Sequence, residues 1–154
     1  MKNNLKTCIY LDDVRTPTTT LSGYNPWNVV RNYTEFTEWI ADNGVPDLIS
    51  FDHDLAEEHM NDYFDQLAKI GFQSPSYDLY TEKTGLDCAK FICEIYQNKE
   101  NKDVEFPRCV VHSHNPVGGD NIKSYINGYK KHIGLEPNCY DQRFPFEIKP
   151  ENRY

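Results

Sequence analysis

The sequence predicts an α/β sandwich with a mostly parallel central sheet, and three observations carry that prediction. Short apolar or β-branched runs alternate along the chain with amphipathic helical stripes, the pattern of repeated strand, helix and strand units. No internal repeat or low-complexity tract interrupts the alternation. Three of the strand-like runs end abruptly in polar clusters, at Asp12-Asp13, at Asp52-His53-Asp54 and at His112 to Asn115. In sheets of this class ligands sit at the carboxyl ends of the strands, near the point where the strand order reverses.

Taken in order, Lys6 to Leu11 has the β-branched and aromatic content of a short strand and stops at Asp12-Asp13. Val14 to Trp27, with Arg15, Pro17, Gly23 and Pro26, reads as a loop. Trp27 to Tyr33 is a second strand. Thr34 is expected to cap the helix that follows, with Phe36, Trp39 and Ile40 on one face and Asn43-Gly44 as its stop. Leu48 to Phe51 is a buried strand running straight into two carboxylates around an imidazole. If it stays extended, Asp52 and Asp54 face one way, about 7 Å apart, and His53 the other.

Met60, Tyr63, Phe64 and Leu67 then mark an amphipathic helix, and Gly71 to Lys83 an irregular excursion, together an insertion at about 56–83. Thr84-Gly85 opens a helix with Leu86, Ala89, Ile92, Cys93 and Tyr96 inward. Phe106 to Val111 is the next strand. Asp120 is expected to cap a helix bearing Ile122, Tyr125, Ile126 and Tyr129. From about residue 137 the tail is irregular, with Phe144 to Lys149 as an edge strand.

At 154 residues the chain reads as one domain spanning 1–154, large enough to bury a core without disulfide or metal staples. The formal charge of -8 argues against a broad surface for duplex DNA or an acidic membrane, although a local pocket can bind one phosphate against it. The five cysteines lack a C-x-x-C pair and lie mostly in apolar runs, so they read as reduced core thiols of a cytoplasmic protein. No apolar stretch approaches the roughly 18 residues of a membrane span. Oligomeric state leaves no trace in the sequence.

Each polar cluster has a bland reading of its own: a turn or cap for Asp12-Asp13, a solvated turn for Asp52-His53-Asp54, an Asx or Ser turn for His112 to Pro116. All three would have to hold together, which makes a shared site the better account. Converging carboxylates repel, and a divalent cation relieves that repulsion. Oxygen-rich ligation suits Mg²⁺ or Mn²⁺; direct use of His53 or His112 would favour Mn²⁺, Fe²⁺ or Zn²⁺. A histidine here serves as general base or acid near neutral pH. Ser113, Asn115 and the N–H groups of Gly118-Gly119 are candidates to hold phosphate oxygens. Arg15 would clamp the same phosphate or form a surface salt bridge. Ser113 is a poor covalent nucleophile, because its neighbouring histidines on a strand face the other way.

Leu11 to Pro17 (LDDVRTP), Ile49 to Leu55 (ISFDHDL), Thr84 to Asp87 (TGLD) and His112 to Gly118 (HSHNPVG), in that order, resemble the cyclic-phosphate processing receiver-like domain of bacteria and phages. The resemblance covers roughly Lys6 to Ile133. It implies a flavodoxin-like, three-layer fold related to response-regulator receivers, with Asp12 and Asp13 as a metal-binding acidic pair and Asp52 at the phosphate-accepting position. Ser113 matches the receiver's hydroxyl residue. The chain departs from a signalling receiver in having His53, Asp54 and His112, and Lys149 is the candidate for the receiver's lysine after its fifth strand.

The resemblance therefore implies a metal-dependent phosphoesterase acting on a cyclic phosphate, either a 2′,3′-cyclic RNA end or a cyclic nucleotide. The metal would sit on Asp12, Asp13 and Asp52, with Asp54 or His53 as base and His112 as acid. The alternatives are a non-catalytic receiver-like protein that binds or sequesters a cyclic nucleotide or partner protein, and a phosphotransfer receiver modified on Asp52.

Overall fold

The computed structural model describes residues 5–55, 83–97, 105–142 and 148–149. In chain order the elements are β1 (Cys8–Leu11), β2 (Thr16–Pro17), β3 (Asn28–Val30), α1 (Tyr33–Asn43), β4 (Leu48–Phe51), α2 (Gly85–Gln97), β5 (Arg108–Val111), α3 (Pro116–His132), β6 (Tyr140–Asp141) and β7 (Ile148–Lys149). Five strands form one sheet in the order β3-β1-β4-β5-β6, every neighbouring pair parallel. This is the flavodoxin-like order of an α/β fold, and the strand sequence reverses direction between β1 and β4.

Side chains alternate across the sheet, so its two faces have separate cores. Ile9, Leu11, Ile49, Phe51, Cys109 and Val111 pack against Phe36 and Ile40 of α1, Cys88, Ala89 and Ile92 of α2, and Ile122 and Ile126 of α3. Each large apolar side chain buried there contributes about 1.5–3 kcal/mol. On the opposite face Cys8, Leu48 and Val110 are covered by Leu21, Tyr24 and Trp27. Right-handed crossovers explain the division. The step from β1 to β3 runs outward in one direction and is made by the loop after β1. The later steps all run the other way and carry their helices to the second face. Among the described residues, the sandwich's third layer is thus a loop.

Two expected caps move. The N-cap of α1 is Asn32, whose Oδ1 accepts the Glu35 N–H at 2.8 Å, while Glu35 Oε1 accepts the Arg31 N–H at 2.8 Å. Asn32 is still extended, so the helix starts at Tyr33 and Thr34 already lies inside it. Gly44, at φ 86°, ends the helix as expected. Helix α3 is capped by Asn115, not Asp120, because Pro116 is pre-set for a first helical turn and Asn115 Oδ1 accepts the Gly118 N–H at 2.9 Å. Before α2, the Thr84 N–H donates to Asp87 Oδ2 at 2.9 Å.

The fifth strand of the sheet is the two-residue β6, both of its side chains exposed. The edge strand expected at Phe144 to Lys149 is β7, which pairs antiparallel with β2 in a separate two-stranded sheet. The helix expected at Met60 to Leu67 lies outside the described residues. All five cysteines are free and buried. No described helix is long and apolar enough to cross a membrane.

Candidate active site at the carboxyl edge of the sheet

Leu11, Phe51, Val111 and Asp141 stand side by side as the last paired residues of β1, β4, β5 and β6. The next residue in each chain segment is Asp12, Asp52, His112 and Gln142, and the ladder runs one step further through them. Asp52 N–H donates to Leu11 O, His112 N–H to Phe51 O and Gln142 N–H to Val111 O, at 2.8–3.0 Å. Equal register and period-two alternation therefore place these four side chains in one row, on the sheet face of Tyr10 and Ser50.

Asp12, Asp52 and His112 each offer a ligand atom within 4.8 Å of the others, so this trio could hold a metal ion. Asp12 is fully buried and Asp52 nearly so. His112 Nε2 lies 3.1 Å from Asp12 Oδ2, and its Nδ1 lies 2.7 Å from Ser50 Oγ. Ser50 Oγ in turn donates to Gln142 Oε1 at 2.7 Å. With the Ser50 hydrogen committed to Gln142, the hydrogen of that contact belongs to His112 Nδ1. Its Nε2 then presents a lone pair to the carboxylates, the arrangement of a metal-ligating imidazole oriented through its other nitrogen. Tyr10 stacks on the ring at 4.2 Å between centroids and 8° between planes, which holds the imidazole's tilt. The donor set of two carboxylates and one imidazole fits a small divalent ion.

Electrostatics follow from the same contacts. Burial alone pushes the Asp12 carboxyl up, but the hydrogen bonds it accepts from the backbone N–H groups of Arg15 and Val14, with a further pull from His112 whenever its Nε2 carries a proton, outweigh it and hold the group well below the usual carboxylate range. Burial raises Asp52, and the charges of Asp12 and Asp54 add to that rise against the opposing Arg15. Burial lowers His112 despite the pull of Asp12, so the neutral ring is favoured. Both shifts are led by burial, which disfavours the charged form of each group, and the repulsion between Asp12 and Asp52 leaves the carboxylate pair in need of positive charge.

Arg15 supplies part of that charge. Its Nε donates to Asp12 Oδ2 at 2.7 Å, and its Nη2 is 3.7 Å from Asp52 Oδ2. Its Nη1 lies 2.7 Å from His114 Nε2, which must accept, since guanidinium only donates. Arg31 braces the loop from beneath: its guanidinium donates to Asp12 O, Arg15 O and Thr16 Oγ1 at 3.1, 2.7 and 2.7 Å.

The remaining predicted residues form a second layer. Strand β4 ends at Phe51, so the expected alternation of Asp52 and Asp54 on one side with His53 on the other fails at Asp54. The chain turns, and Asp54 Oδ1 meets His53 Nδ1 at 2.7 Å. The His53 ring is fully buried and packs onto Gly118, where a Cβ would stand 2.4 Å from its Cγ. Asn115 and Gly118, expected to face a phosphate, are engaged inside the protein. The Asn115 amide donates to Asp54 at 3.3 and 3.4 Å, and the Gly118 N–H donates to Asn115 Oδ1. Ser113 Oγ accepts the Asn115 N–H at 3.0 Å. Asp13 is half-buried and is not one of the trio.

Sequence reasoning missed Ser50, His114, Arg31 and Gln142. Ser50 was visible as the one polar residue inside an apolar strand. Gln142 had no signal, because β6 is too short to be recognised. It occupies the position after the fifth strand, so Lys149, in the separate sheet, does not correspond to the receiver lysine.

Comparison with curated proteins and with solved structures gave no match. The family model described as "Cyclic-phosphate processing Receiver domain" matches residues 7–128, more than half of the chain and all of the row from Asp12 to His112. With its flavodoxin-like strand order and its acidic carboxyl edge, the chain belongs to the cyclic-phosphate processing receiver domain family.

Proposed function

We propose that this protein is a divalent-metal-dependent phosphoesterase that opens a cyclic phosphodiester, on a 2′,3′-cyclic RNA end or a cyclic nucleotide. The single observation that carries the reading is the convergence of Asp12, Asp52 and the His112 imidazole at the switch-point edge of the sheet. Asp12, Asp52 and His112 Nε2 would hold the ion. When bound, Mg²⁺ or Mn²⁺ neutralises phosphate oxygens and acidifies a water, with Zn²⁺ or Fe²⁺ also compatible with the imidazole.

The chain's own groups divide the rest of the work. Arg15, at the rim of the carboxylates, binds the phosphate through its planar fork. Asp54, fixed by His53 and Asn115, accepts the proton of the attacking water at its carboxylate. His53, with no exposed surface, aligns Asp54 and does not touch substrate. His112 changes from the expected acid to a ligand, because its Nε2 faces the carboxylates; protonation of the leaving oxygen falls to solvent. Phosphotransfer signalling loses support from Gln142 standing where a receiver carries its lysine.

The test is incubation with a panel of 2′,3′- and 3′,5′-cyclic nucleotides plus Mg²⁺ or Mn²⁺, with products separated by chromatography. Asp52→Asn and His112→Ala should abolish turnover and leave the circular dichroism spectrum intact. Full activity in both variants refutes the assignment. Recovery of intact, tightly bound nucleotide from the wild type would favour the non-catalytic binding protein.

A further inference from the structure

We infer that the Arg15 guanidinium is the resident counter-cation of the Asp12 and Asp52 pair, and that a divalent ion takes its place when a phosphodiester monoanion draws the guanidinium away. The inference rests on the metal reading above and adds an order to it: cation and phosphate enter as a coupled pair.

The geometry that supports it is a shared atom. Asp12 Oδ2 receives Arg15 Nε–H at 2.7 Å and faces His112 Nε2 at 3.1 Å, so guanidinium and cation compete for one oxygen. Arg15 Nη2 lies 3.7 Å from the second carboxylate of the trio. Apart from the two carboxylates, little else holds the guanidinium: its Nη1 rests on His114, an exposed side chain, and its Nη2 makes a long contact with the His112 carbonyl at 3.4 Å.

Charge counting over the groups in direct contact gives the reason for coupling. The two carboxylates and Arg15 leave one negative charge. A divalent ion added to all three leaves one positive charge, in a buried place where excess charge is costly. A phosphodiester carries one negative charge, and its arrival on Arg15 closes the balance. The monoester formed by ring opening carries up to two, which restores an imbalance and favours release. The site therefore prefers a diester monoanion over a monoester dianion in the presence of the ion.

Isothermal titration of Mn²⁺ alone into the full-length wild type and the Arg15→Gln variant tests this without turnover. Arg15→Gln should bind Mn²⁺ on the order of tenfold more tightly than the wild type, within the usual range of couplings between sites. Millimolar dimethyl phosphate, a monoanionic diester, should tighten Mn²⁺ binding in the wild type and have no effect in the variant. Arg15→Met, checked for folding by circular dichroism, repeats the measurement without any hydrogen-bonding head group. Equal or weaker Mn²⁺ affinity in the folded variants overturns the exchange and leaves the metal reading standing. No Mn²⁺ binding to wild type or variants overturns both, whereas binding to the variants alone supports Arg15 as the occupant to be displaced.

Discussion

Gly118→Ala should cost about 2 kcal/mol of stability, and the figure follows from the packing of one ring. The added Cβ would lie 2.4, 2.6 and 2.8 Å from His53 Cγ, Nδ1 and Cδ2, where ordinary contact begins at 3.4 Å. The imidazole would have to retreat by about 1 Å, yet it has no exposed surface and is tied to Asp54 at 2.7 Å. Overpacking of this kind costs about 1–3 kcal/mol, and a weakened hydrogen bond adds about 1 kcal/mol. Replacing a helical glycine by alanine returns at most about 1 kcal/mol. For a chain of this length the net loss lowers the melting temperature by roughly 4–8 °C. Gly128→Ala is the internal control: nothing lies within 4 Å of its added Cβ, so only the propensity gain of about 1 kcal/mol remains. Urea melts followed by circular dichroism, with unchanged m-values, measure both. If Gly118→Ala proves as stable as the wild type while Gly128→Ala gains, the claim that Gly118 makes room for His53 is wrong.

Three further outcomes are expected. Gly85→Ala should fail to give a folded protein, or lose more than about 4 kcal/mol, since its Cβ would stand 1.8 Å from the backbone oxygen of Asp52, which cannot rotate away; a melt like that of the wild type contradicts this. Ser50→Ala removes the group between His112 Nδ1 and Gln142 and should weaken Mn²⁺ binding by about 10–100-fold with the fold retained; unchanged affinity in a titration would show that the ring is oriented by Tyr10 alone. Burial pushes the thiols of Cys8, Cys93 and Cys139 up to about 12, so at pH 8 a disulfide reagent should label the native protein slowly and all five cysteines after denaturation; rapid native labelling at these three would contradict their burial.

The alternation of apolar strands with helical stripes announced an α/β fold, and β4 was legible to the residue because a run of four residues, apolar but for Ser50, stops at a charge. Asp12, Asp52 and His112 were legible for the same local reason: each is the first polar residue after a buried strand. Caps were harder, since Thr34 and Asp120 carry as good a local signal as Asn32 and Asn115. The choice between them depends on where the preceding strand stops and, for α3, on the proline that follows Asn115.

What the sequence determined by itself is which residues end the strands and that those ends are acidic and imidazole-bearing, because burial and period-two patterning are local properties of the chain. Only the tertiary structure decided which of them share a site. Parallel register lined up Asp12, Asp52, His112 and Gln142 from segments up to 130 residues apart, left Asp13 out of the metal-capable group, and laid Arg15 across the carboxylates. Register depends on pairing between distant strands, and no stretch of sequence read alone contains it.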